Sequence, residues 1–205
     1  MTGLGGYLVV VFLMQLLWFF GIHGSNVMGS VTTAFMTKAT MDNLAHYQAT
    51  GDAYGAPNII SGTFGSAFFS STGSGITGGL IIAVLLFSKR DDYRAICKLA
   101  IPCGLFNINE PIIFGIPMVM NPMFALPFFL APIVSVVIGY ILISIGFCPR
   151  MVIDAPWTTP VGILAFLGAG GNLIAGLSQI IAVGSSILVY TPFVIAANKT
   201  ATAEA

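Results

Sequence analysis

Four apolar stretches, at residues 3–21, 61–87, 123–147 and 172–197, contain no charged residue. Roughly 20 helical residues cross about 30 Å of hydrocarbon, so each stretch is predicted to span a membrane as a helix. The second is unlike the others. Its first half, SGTFGSAFFSSTGSGITGG, is rich in Gly and Ser, small residues that permit close helix packing. Within it, Ser70, Ser71 and Thr72 also offer hydroxyls to a polar path. Two more apolar stretches, near 99–120 and 157–170, are too short or too broken to cross; the first contains Pro102, Gly104, Pro111, Gly115 and Pro117. Between full spans, such segments read as re-entrant hairpins. Their irregular backbone is tolerated only where protein or a water-filled cavity satisfies it. A kinked helix pair is the alternative. The polar segment 24–58 is expected to form a short surface or amphipathic helix followed by a turn, and no internal repeat or low-complexity tract is evident.

Composition turns this pattern into a class. The chain is 57% hydrophobic and 7% charged, where soluble domains carry about a quarter charged residues. So few polar groups cannot cover a water-exposed surface, and the expected fold class is an all-α membrane protein. A net charge of zero points to no nucleic acid and no acidic partner. Cys97, Cys103 and Cys148 lack the paired short spacing of a zinc or redox motif and read as small hydrophobes. No basic segment precedes the first apolar stretch, so no cleavable signal is expected; a chain opening almost directly on a span also reads as a fragment. Lys89, Arg90, Arg94 and Lys98 crowd one loop, which the positive-inside rule assigns to the cytoplasm. Four crossings then put both termini inside, and the two hairpins enter from opposite faces with their tips near the midplane.

One acid interrupts the charge-free run between Lys98 and Arg150: Glu110, in LFNINEPIIFG. A carboxylate in low dielectric must be paired, hydrogen-bonded or protonated, and intramembrane acids are functional candidates. Asn107 and Asn109 add amide donors and acceptors beside it, and Pro111 frees a backbone carbonyl. Capping of the next half-helix is the plainer alternative for Glu110. In GIHGSN, His23 and Asn26 follow the first span; a neutral imidazole donates and accepts at once, which suits hydroxyl ligands. Trp157, in APWTTP with Thr158 and Thr159, offers an indole that stacks on a pyranose or anchors at the membrane interface. There is no phosphate-cradling loop, no metal-ligand cluster, and no nucleophilic triad around the isolated His23 and His46, so neither a metal nor a cofactor is expected.

GIHG, FNINEPIIFGIPMVMNP and APWTTP, in this order, resemble the membrane permease (enzyme IIC) of the bacterial phosphoenolpyruvate-dependent sugar phosphotransferase system, in its lactose/cellobiose/N,N′-diacetylchitobiose branch. The resemblance covers essentially the whole chain, but such permeases are about twice as long, and it falls on their second half. That half is implied to be a transport domain of transmembrane helices with two re-entrant hairpins, here residues 1–205; the resemblance implies that the first half, which forms the homodimer interface, is not among these residues. The resemblance further implies a multi-pass protein of the bacterial plasma membrane. It would bind a disaccharide in an occluded site and present it to cytoplasmic phospho-enzyme IIB, charged in turn by enzyme IIA. His23 and Glu110 match the sugar-contacting histidine and glutamate of the family, and Asn26, Asn109 and Trp157 occupy matching neighbourhoods. Glu110 beside the acceptor hydroxyl is expected to orient it or take its proton. The chain carries no phosphorylation site of its own. A proton- or cation-coupled sugar transporter using Glu110, or a non-transporting scaffold, are the alternatives.

Overall fold

The computed structural model describes the backbone of residues 3–203 and the side chains of residues 3–199. Every regular element among them is helical: α1 (Leu4–Phe19), α2 (Gly24–Thr50), α3 (Gly62–Phe68), α4 (Thr77–Phe87), α5 (Asp91–Leu105), α6 (Glu110–Gly115), α7 (Pro122–Ser144), α8 (Ile163–Gly168) and α9 (Leu173–Ala203), with a 3₁₀ turn at Ser74–Ile76.

Two of the four expected crossings, Pro122–Ser144 and Leu173–Lys199, are long and apolar enough to cross a membrane as continuous helices. α1 is apolar but has only 16 residues. The expectation for residues 61–87 is corrected: this is not one spanning helix but α3, a break and α4. Left-handed backbone at Thr72, Gly73, Gly75 and Ile76 ends one helix and redirects the chain before the next. Glycine adopts this region at no steric cost, and the run of small residues supplies too few long apolar side chains to hold a helix against it. The forecast for 24–58 is also corrected, because α2 runs for 27 residues rather than a short stretch. No Gly or Pro occurs between Ser30 and Thr50, and Lys38 pairs with Asp42 one turn on at 2.9 Å. Its buried face, Thr32, Ala39, Thr40 and Asn43, repeats at helical spacing but is mostly polar, which hid it from a hydrophobicity reading. Gly51, with φ +71°, closes the helix.

α9 is the central element, packed against α4, α7 and α8. A Cβ at Gly79 of α4 would collide with Ser186 of α9, so glycine there permits the close approach. One apolar core joins α4, α5, α6 and the first half of α7 to the second half of α9; another joins α1, α3, α8 and the rest of α7 to the first half of α9. Large apolar side chains also stand outside, among them Leu99, Phe114, Ile145, Leu173 and Leu188, as on a helix bundle whose surroundings are not water.

The basic loop between α4 and α5 is tied down rather than free. Arg94 donates to the carbonyls of Leu85 and Ser88, and Asn198 of α9 bonds the Phe87 carbonyl and the Lys89 N–H. Arg90 pairs with Asp92 at 2.6 Å and lies over the Tyr93 ring. The hydrogen bond from Arg90 holds the Asp92 carboxyl below its ordinary value.

Candidate functional site

α5 ends at the tip singled out in the sequence. The Phe106 N–H closes back on Cys103, and Asn107 takes φ +65°, a conformation asparagine tolerates better than most residues. α6 then starts at Glu110 with Pro111 in its first turn. The result is a long helical arm, a four-residue turn and a six-residue return helix. This hairpin starts earlier than residue 99, because α5 runs from Asp91. The second hairpin likewise extends beyond 157–170. Its descending arm, 148–156, is not helical, and the N–H groups of Val152 and Ile153 both reach the Gly168 carbonyl at the end of α8.

The break between α3 and α4 lies against both hairpin tips. Asn107 Oδ1 accepts from the Thr72 N–H at 2.6 Å, while its Nδ2 donates to the carbonyls of Trp157 (2.5 Å) and Thr159 (2.8 Å). One amide therefore holds three chain segments. Asn109 adds a second tie, its Nδ2 donating to the Ser74 carbonyl at 2.6 Å. A Cβ at Gly73 would overlap the Asn109 side chain, which explains the glycine there. Gln179 of α9 makes a third connection: it accepts from the N–H groups of Gly162 and Ala165 and donates to Ser71 Oγ and the Ala67 carbonyl. Irregular backbone in an apolar setting leaves polar groups that cost free energy unless paired. These three neutral amides do the pairing.

Glu110 sits at the start of α6, half-buried, and its carboxylate hydrogen-bonds to no other described residue. Trp157 is 58% exposed, its backbone held by Asn107 and its ring available for stacking. Asn109 is 4% exposed, with one amide N–H committed to Ser74, which leaves Oδ1 and the second N–H for any further partner. His23 and Asn26 lie in a separate corner. His23 caps α2: Nδ1 accepts from the Asn26 N–H at 3.3 Å, and the ring packs on Trp18 with centroids 4.3 Å apart. With Nδ1 accepting, a neutral His23 carries its proton on Nε2 and presents a donor there. The corner meets the chain following α6 where the Met120 N–H reaches the Phe19 carbonyl. Among the described residues no hydrogen bond joins His23 or Asn26 to Glu110. The structure thus places Asn109, Glu110 and Trp157 on the interlocked tips and keeps His23 and Asn26 in a separate corner at the start of α2.

Two hollows adjoin this arrangement. A pocket of about 160 Å³ between α1, α2 and α3 is lined in part by hydroxyl-bearing Tyr7, Ser25, Thr32, Ser61, Ser66 and Ser70; Ser25 stands two residues after His23 and Ser70 two before Thr72. A larger one of about 380 Å³ borders Thr72 and Pro160 but is lined mainly by apolar side chains such as Ile101, Leu105 and Val183, with few partners for hydroxyls. The three hydroxyls expected along a polar path, those of Ser70, Ser71 and Thr72, all donate to backbone carbonyls, Ser70 at the longest distance, 3.5 Å. Gln179 was not among the sequence candidates; its only signal was a lone amide in an apolar span. In the sequence Asn107 stands out only as a neighbour of Glu110. Among the described residues no His, Cys, Asp and Glu cluster could hold a metal ion.

Residues 1–132 match the family described as Phosphotransferase system, EIIC. The chain is 38% identical to the cellobiose-specific EIIC component of Lactococcus lactis subsp. lactis (strain IL1403), an alignment covering 94% of this chain and 42% of that protein. It is 37% identical to the lichenan permease IIC component of Bacillus subtilis (strain 168), over 93% and 42% of the two chains. It is 32% identical to the lactose-specific EIICB component of Staphylococcus aureus, over 92% and 32%. The crystal structure of the transporter ChbC, the IIC component from the N,N′-diacetylchitobiose-specific phosphotransferase system, superposes with a TM-score of 0.93 at 32% identity, covering 99% of this chain and 46% of that one. The chain spans less than half the length of these relatives. By sequence and by fold together, it belongs to the EIIC family of the phosphotransferase system.

Proposed function

We propose that this chain forms the sugar-binding part of a phosphotransferase-system permease that takes up a β-linked disaccharide, of the cellobiose or N,N′-diacetylchitobiose kind or lactose, for phosphorylation by enzyme IIB. The observation that carries this reading is Glu110: a half-buried carboxylate without a protein partner among the described residues, at the turn where two hairpin tips and a broken helix interlock. A carboxylate accepts from sugar hydroxyls, the Nε2–H of His23 donates to them, and the Trp157 ring covers an apolar pyranose face. Asn26 and the Oδ1 of Asn109 complete the set. Support for the sugar class comes from the relatives named above, whose specificities are cellobiose, lichenan, lactose and diacetylchitobiose.

In this reading the hairpins enter the membrane from opposite faces, both termini are cytoplasmic, and the rest of the permease supplies the dimer scaffold. Glu110 also orients the acceptor hydroxyl, or takes its proton, as the phosphoryl group arrives from enzyme IIB. Uptake of labelled cellobiose, diacetylchitobiose and lactose by the full-length gene product, with and without the phosphotransferase proteins, tests it. Phosphorylated sugar that appears only with phosphoenolpyruvate is the expected result. Unmodified sugar accumulating with the proton gradient would replace this reading with a proton-coupled transporter.

A further inference from the structure

We infer that Asn107 is a positioning residue that sets the Trp157 tip against the Glu110 tip, so that sugar affinity depends on an amide that need not touch the sugar. This rests on the proposed sugar-binding function. The inference stands on geometry. Asn107 is 5% exposed, and all three hydrogen bonds of its side chain, at 2.5 to 2.8 Å, go to backbone of other segments. Two of its acceptors belong to Trp157 and Thr159, and the donor belongs to Thr72. Along its own chain it stands three residues before Glu110. Nothing else described ties the 106–109 turn directly to the 157–159 turn by a hydrogen bond.

Both partners in the Asn107–Thr72 bond hold left-handed backbone, with φ +65° and +59°. Such conformations persist only where surrounding bonds over-determine them, and they concentrate at binding sites. Gln179 braces the same two segments at other atoms, Ser71 and the start of α8, so loss of Asn107 loosens the tips without releasing the whole hairpin. A ligand held between Glu110 on one turn and Trp157 on the other would then have to order the tips itself, at a cost in affinity.

Two variants test this in the purified full-length protein, titrated with cellobiose, diacetylchitobiose and lactose in a calorimeter. Asn107→Gly keeps the positive φ and deletes the amide. Asn107→Asp keeps the acceptor for Thr72 and sets an oxygen against the two carbonyls. Wild-type protein that binds none of the three sugars overturns the sugar reading and this inference together. Where the wild type binds, Asn107→Gly is expected to weaken affinity about tenfold, Asn107→Asp at least as much, with membrane insertion retained. The decisive measurement is a double-mutant cycle with Trp157→Phe. If Asn107 acts by placing Trp157, the double variant binds within about threefold of the weaker single variant. Affinity of Asn107→Gly within twofold of wild type, or losses that simply multiply, overturns the inference and leaves the sugar reading intact.

Discussion

Replacing Gln179 by leucine keeps most of the side-chain volume and removes four hydrogen bonds at once, three of them buried and one part-buried. Two of the groups released keep other partners. The Ala67 carbonyl still accepts from Ser71 Oγ at 2.6 Å, and that hydroxyl still has its acceptor. The N–H groups of Gly162 and Ala165 do not; neither has a second acceptor among the described residues, and both lie at the start of α8. An orphaned buried donor costs about 1–3 kcal/mol, but side-chain hydrogen bonds measured inside membranes average only about 0.6 kcal/mol. Taking about 1 kcal/mol for each donor, α8 opens about 2 kcal/mol more easily, or roughly 30-fold more often. Amide exchange in detergent or nanodiscs reads this directly. The N–H groups of Phe166 and Ala169 bond the carbonyls of Gly162 and Ala165, so they are protected by the same turn without touching Gln179. Their exchange is expected to accelerate about 30-fold in the Gln179→Leu protein, with the second half of α9 unchanged as a control. Acceleration below about threefold would show that Gln179 merely fills space and that the hairpin is held elsewhere.

Three further substitutions separate site from scaffold. Glu110→Gln is expected to abolish sugar binding or phosphorylation while the protein inserts and melts as the wild type; unchanged affinity and turnover would remove Glu110 from the site. Trp157→Ala, at an exposed position, should weaken sugar affinity about tenfold and shift the melting temperature little, and an equal affinity would leave Trp157 as an interfacial anchor. Gly75→Ala forces a Cβ into the Phe128 ring at φ +77°; left-handed strain and overpacking together predict about 2–4 kcal/mol of destabilisation in a detergent unfolding titration. A loss below about 0.5 kcal/mol would mean that the break between α3 and α4 is more plastic than its packing implies.

The parts legible in the sequence were those where hydrophobicity alone decides. α7 and α9 are long, charge-free and predominantly apolar over their membrane-length stretches, Pro127, Pro132 and Pro192 notwithstanding, and little except a long helix accommodates them in a membrane. Pro and Gly around Asn107 announced a turn because they exclude regular helix on local grounds. The break inside 61–87 was not legible, since its Gly and Ser residues fit close helix packing as well as a kink. What selects the kink is tertiary: Phe128 and Tyr190 fill the space around Gly75, and the Tyr190 hydroxyl takes its carbonyl at 2.7 Å. α2 was underestimated for the opposite reason, its buried face being polar, with Asn43 stitching it to Asn58 and to Met151 more than a hundred residues away. At the candidate site the residue types were readable but not their division of labour. Asn107 and Asn109 look equivalent beside Glu110, yet both spend their amide nitrogens on backbone carbonyls of other segments.

That division has a physical logic. Each chain break in an apolar environment exposes N–H and C=O groups, and a charged side chain would satisfy them only by bringing its own desolvation cost. Asparagine and glutamine donate and accept without charge, so they can close such breaks in pairs. Here Asn107, Asn109 and Gln179 serve the segments around Thr72, Ser74, Trp157 and Gly162, and each connects one break to another instead of capping it alone. A bundle built this way needs no carboxylate at its centre for structure. Glu110 is the acid it nevertheless keeps, flanked by amides already in use, its carboxylate hydrogen-bonded to no described residue. In low dielectric an acid is retained at a cost unless something recovers it. In the proposed function, a neutral ligand rich in hydroxyl donors recovers part of that cost while it is bound, and it does so without bringing a second charge to be desolvated.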